Sequence, residues 1–91
     1  MTFRIERRRS GETLTVRLIG ELGTEHLREV KAQVYDAPCP VVVDLGELTL
    51  ISVEGIRFLN ACEQHGMPIV NVSGYIAEWM TLEGRSKRKR P

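Results

Sequence analysis

Two short apolar runs, "PVVVDL" at Pro40 to Leu45 and "MPIVNV" at Met67 to Val72, constrain this chain more than any other feature. Neither alternates apolar with polar residues, and both are rich in β-branched side chains, the pattern of strands buried on both faces. Between them lies "SVEGIRFLNACEQHG". There Val53, Ile56, Leu59 and Cys62 recur at helical spacing, Phe58 widens the stripe and Gly66 supplies a stop. Strand, helix and strand with short links predict a right-handed parallel crossover.

The flanking segments extend that unit. Phe3 and Ile5, then Leu14, Val16 and Leu18, alternate with polar residues across the turn "SGE", which predicts a β-hairpin with one buried face. In "GTEHLREVKAQVYDAP", Leu27, Val30 and Val34 predict an amphipathic helix capped by Gly23 or Thr24 and ended by Pro38. A last helix is expected from Gly74 to about Leu82, with Ile76, Trp79 and Met80 inward and Tyr75 and Leu82 flanking them. The order is β-β-α-β-α-β-α: an α/β fold in one small domain, with a mixed, mostly parallel sheet and helices mainly on one face.

Ninety-one residues with 42% hydrophobic content suffice for one core, and a second domain is not expected among them. Residues 1–84 form the expected domain, and residues 85–91, which lack apolar side chains before Pro91, are expected to be a disordered basic tail. Five of the thirteen basic residues lie in "RSKRKR". Without them, eight basic residues face twelve acidic ones, so the body carries about −4 and the tail is basic. By default that tail is a solvated charge run; otherwise it offers weak electrostatic contact through Arg85 to Arg90 to an acidic surface, a nucleic acid backbone or anionic lipid. No aromatic residue interleaves its cations, so base stacking is not indicated and nucleic acid is not the expected partner.

No apolar run approaches the roughly 20 residues of a membrane span, and "MTFRIERRRS" has no signal-peptide core, so a cytoplasmic location without membrane insertion is expected. Cys39 and Cys62 have no CxxC spacing and read as small buried hydrophobes. His26 and His65 lack neighbours at ligand spacing, which argues against a metal. No nucleophile has a sequence cue for an activating base, and there is no GxGxxG or Walker-type loop. A catalytic residue, a cofactor and an enzyme activity are therefore not expected.

The corner "LTLISVEGIRFL", Leu48 to Leu59, carries the functional signal. Ser52 is placed to cap the helix, and Glu54 puts a carboxylate on its first turn, where unpaired N–H groups and the macrodipole favour negative charge.

Three segments, "LTVRLIGEL", "VVVDLGELTLISVEGIRFL" and "VNVSGYIAEWM", give the chain a resemblance to the STAS domains of anti-sigma-factor antagonists, stressosome proteins and sulphate transporters. They cover most of the body in the family's order. Antagonists typically read Asp-Ser-Ser-Gly where this chain has Ser52, Val53, Glu54 and Gly55. Glu54 takes the place of the phosphorylated serine, Ser52 that of the aspartate, and Gly23 that of a second aspartate. A phosphoserine would carry about −1.5 to −2 charges. Glu54 would supply a fixed, single one.

The resemblance implies a non-catalytic regulatory domain that binds a protein partner in bacterial signalling. That partner would be an anti-sigma factor or GHKL-type kinase, or a stressosome component. The alternative implied is an accessory subunit of an ABC-type transport or lipid-trafficking complex, bound to its ABC ATPase. The expected partner-binding surface is Glu21, Gly23, Thr24, Ser52, Val53, Glu54, Gly55 and Arg57, with Gly55 allowing close backbone approach. Ser52 and Thr49 are the hydroxyls left for a kinase.

Overall fold

The computed structural model describes residues 2–88. Strands β1 (Phe3–Ser10) and β2 (Thr13–Leu22) form the hairpin, paired from Phe3 opposite Gly20 to Ser10 opposite Thr13. Gly11 opens the two-residue turn with φ +60°, which a side chain would disfavour. After a 3-10 turn at Thr24–His26 come α1 (Leu27–Tyr35), β3 (Val41–Ile51), α2 (Val53–Gln64), β4 (Ile69–Val70) and α3 (Gly74–Arg88). The sheet order is β1-β2-β3-β4, antiparallel at the first pair and parallel at the other two. The predicted fold class and element order are observed.

Alternation along β2 sends Leu14, Val16 and Leu18 to one face, where they are buried with Val41, Val43 and Leu45 of β3. The helices cover that face, α1 through Leu27, Val30 and Val34, α2 through Ile56, Phe58, Leu59 and Cys62, and α3 through Ile76 and Met80. Arg17 emerges on the opposite face, 3.2 Å from Glu47 and 3.6 Å from Asp44. α2 ends in a Schellman motif: Gly66 has φ +78°, its N–H donates to Glu63 O, and Met67 N–H donates to Cys62 O.

The two apolar runs are not equivalent, which corrects the expectation that both strands are buried on both faces. "PVVVDL" lies in the central strand β3, and that strand runs on to Ile51 because residues 47–51 keep pairing with β2 across two register shifts. Of Met67 to Val72 only Ile69 and Val70 form a strand. Pro68 has no N–H to donate and Asn71 turns the chain at φ 58°, so β4 is a two-residue edge with Val70 37% exposed. Cys39 is half-buried, whereas Cys62 is buried as expected.

The last helix also exceeds its expected end near Leu82. It continues to Arg88, so residues 85–88 of the expected disordered tail are helical; residues 89–91 lie outside the described ones. Arginine and lysine are good helix formers and favour the negative end of the macrodipole, which outweighs the single Gly84.

Candidate functional site

The corner between β3 and α2 is one residue long. Ser52 donates its N–H to Leu22 O at 3.0 Å, which ties the corner to the end of β2. Its hydroxyl accepts from Gly55 N at 3.1 Å, the expected helix cap. Gly55 itself is buried, and a Cβ there would stand 2.6 Å from Ile51 Cγ1 and 3.4 Å from Leu22 Cδ2. The glycine serves close packing of α2 on the two strand ends, so its expected role of admitting a partner backbone gives way to an inward one.

Glu54 is exposed at the helix mouth, and Thr24 Oγ1 donates to its Oε1 at 2.9 Å. Its own backbone N–H, the Thr24 hydroxyl and the nearby Arg57 guanidinium hold the carboxyl below the usual glutamate value. This hydrogen bond joins the two segments singled out from sequence, Glu21 to Thr24 and Ser52 to Arg57. Val53 and Glu21 are half-buried beside it. Arg57 lies along α2 and donates from Nε to Glu83 Oε1 of α3 at 3.1 Å. Thr49 is exposed, but its hydroxyl donates to Gly20 O at 2.9 Å.

Two hollows meet at this junction. A shallow one of about 370 Å³, with Glu21, Gly23, Glu25, Leu50 and Ser52 among its walls, is acidic at its rim and has the half-exposed Leu50 in it. A groove of about 710 Å³ runs between α1 and α2 over Leu27, Phe58 and Ala61, flanked by Arg28, Lys31 and Arg57. Glu54 and Thr24 border the groove, while Gly23 and Ser52 border the hollow. The mouth of α2 thus carries negative charge between an acidic rim and a basic flank.

Two further polar residues hold the strands and loops in place, one beside the site and one in the body of the sheet. His26, weighed only as a metal ligand, accepts the Gly23 N–H on Nδ1 at 3.0 Å and stacks on Phe3 with ring centroids 4.5 Å apart. That fixes the loop carrying Thr24. Asp44 is buried in β3 and accepts from Gly46 N at 2.8 Å and Asn71 Nδ2 at 3.1 Å. Burial pushes its carboxyl up, but those donors and Arg17 outweigh it, so the group stays below the usual aspartate value. A lone acid inside "VVVDL" was the signal that marked it. Among the described residues no three His, Cys, Asp or Glu side chains cluster to hold a metal. Burial pushes the Cys62 thiol up to about 11.

Among the described residues no helix is long and apolar enough to cross a membrane. No protein-family model matches the sequence, and no curated protein matches it. Among solved structures, the unphosphorylated anti-sigma factor antagonist SpoIIAA is similar over 98% of both chains, with 16% identity and a TM-score of 0.64. An uncharacterized DUF3478-family protein with a SpoIIAA-like fold from Shewanella loihica PV-4 matches 93% of this chain and 79% of its own, at 19% identity and a TM-score of 0.45. The chain is therefore a small α/β domain with the SpoIIAA-like, STAS-like fold.

Proposed function

We propose that this chain is a non-catalytic protein-interaction domain that works in bacterial signalling as an anti-sigma-factor antagonist does, but with a permanent charge where such antagonists carry a switchable serine. The observation that carries this reading is the Thr24 to Glu54 hydrogen bond at 2.9 Å, which holds an ionised carboxylate on the first turn of α2. A carboxylate so held presents an anion to a partner, as a phosphoserine there would, although with one charge. The contact surface comprises Glu21, Gly23, Thr24, Ser52, Val53, Glu54 and Arg57. Kinase action on Glu54 is chemically impossible, so control falls to partner abundance or to the hydroxyls of Ser52 and Thr49. Both of these are engaged, Ser52 as the cap and Thr49 on Gly20 O.

The test is co-purification from the source cells with wild type, Glu54→Lys and Glu54→Ser, each checked for an unchanged unfolding midpoint. A GHKL-type kinase, anti-sigma factor or stressosome protein held by wild type and lost with Glu54→Lys supports the reading. If Glu54→Ser binds as wild type does, the fixed charge has no role. Retention of an ABC ATPase instead makes the chain an accessory transport subunit.

A further inference from the structure

α3 presents a second surface, on the helix that flanks α2 and meets its first turns where Glu83 accepts from Arg57. Its inward side is spent on Ile76 and Met80, both buried. Tyr75, Trp79 and Leu82 follow one another at spacings of four and three, so they share one flank of the helix. Tyr75 is 54% and Leu82 51% exposed, Trp79 is half-buried, and the Tyr75 and Trp79 rings lie 6.1 Å apart. The helix then runs on through Arg85, Lys87 and Arg88, and the sequence continues with Lys89 and Arg90. No acid follows Glu83, which is paired with Arg57. Glu78, exposed on the same helix, is the one acid that opposes this arrangement.

We propose that this flank of α3 and its basic end dock the protein on an anionic lipid surface. Tyrosine and tryptophan have an apolar body and a polar tip, which suits them to the boundary between headgroups and acyl chains. Leu82 adds apolar area in the same line, and a run of cations close to a membrane surface is drawn to anionic headgroups. A nucleic acid would satisfy the cations and leave the apolar stripe in water, because no aromatic side chain stands among them. The acidic body, about −4 over residues 1–84, is repelled by the same surface, so the basic end of α3 faces it. At about 1.5 Å per residue the 15-residue helix is too short to cross a bilayer, so it lies in the interface. This inference does not depend on the reading of Glu54.

Trp79 is the single tryptophan, so the stripe reports on itself. The full chain is titrated with phosphatidylcholine vesicles containing about 30% phosphatidylglycerol, at salt concentrations of about 0.05 M and 0.5 M. The expected result is co-sedimentation with a blue shift of tryptophan emission at low salt, and at least about tenfold weaker association at high salt. Pure phosphatidylcholine should give neither. Tyr75→Ser with Leu82→Ser, and separately glutamine at 87–90, should each weaken binding at least about tenfold while circular dichroism stays that of wild type. The proposal is overturned if anionic vesicles leave the protein in the supernatant, or if both variants bind as wild type does. It is equally overturned if a short duplex DNA binds and displaces the protein from vesicles while Trp79 emission stays unshifted throughout.

Discussion

Asp44 is a carboxylate inside a strand that otherwise reads as apolar, and its three partners explain why it is tolerated. Gly46, Asn71 and Arg17 come from the same strand, the loop after β4 and the neighbouring strand, so the charge links parts of the sheet that apolar packing alone would not register. Asp44→Asn should cost about 1 to 3 kcal/mol in urea unfolding at neutral pH. Its folded-state pKa lies below the ordinary value of 3.8, so the ionised form stabilises the fold above that pH and the contribution is lost as pH falls through the folded value. The gap between wild type and Asp44→Asn should accordingly be full at pH 7 and close in acid; a gap that widens there contradicts the assignment. Thr24 offers a second check. Thr24→Val removes the hydroxyl that donates to Glu54, so the Glu54 carboxyl resonance should titrate at higher pH than in wild type, still below the ordinary value because the backbone N–H remains.

At the level of elements, α2 depends on its two ends and on one missing side chain. Ser52→Ala removes the acceptor of the Gly55 N–H and should destabilise by about 1 kcal/mol. Gly55→Ala separates two opposed effects. Helix propensity alone predicts a gain of up to about 1 kcal/mol. A Cβ at 2.6 Å from Ile51 Cγ1 and facing Leu22 should instead overpack the junction and cost about 1 to 3 kcal/mol. Thermal unfolding of the two variants side by side decides the sign, and a stabilised Gly55→Ala would mean that Ile51 can move away freely. The edge strand teaches the complementary lesson. "MPIVNV" and "PVVVDL" have similar composition, yet Val70 is exposed and Val43 fully buried, because one run ends the sheet and the other has neighbours on both sides.

For the molecule as a whole, Cys62 measures how the core opens. It is completely buried and its thiol is pushed up to about 11, so it should react with a thiol reagent at pH 8 only through opening of the fold, while half-buried Cys39 reacts first. Destabilising variants such as Ser52→Ala should speed Cys62 labelling in proportion to their lost stability, and labelling that ignores stability would point to a local route instead. The element order, the helical stripes, the cap at Ser52 and the acid on the first turn of α2 were legible in the sequence, because periodicity, capping and breakers act within a few residues. The length of β3 and the reduction of β4 to an edge were not, since each depends on which neighbour a segment meets; the extension of α3 to Arg88 is a contest of local signals, the helix propensity of arginine and lysine against the stop that Gly84 suggests. The same division runs through the candidate site. Glu54 could be named from one stretch of chain, but its hydrogen bond to Thr24 spans 30 positions and exists only because β2 and β3 end side by side. Sequence by itself determined which residues could carry charge at the mouth of α2; tertiary structure decided that Thr24 holds that charge and that Gly55 turns inward, because both follow from the parallel register of two strands distant in the chain.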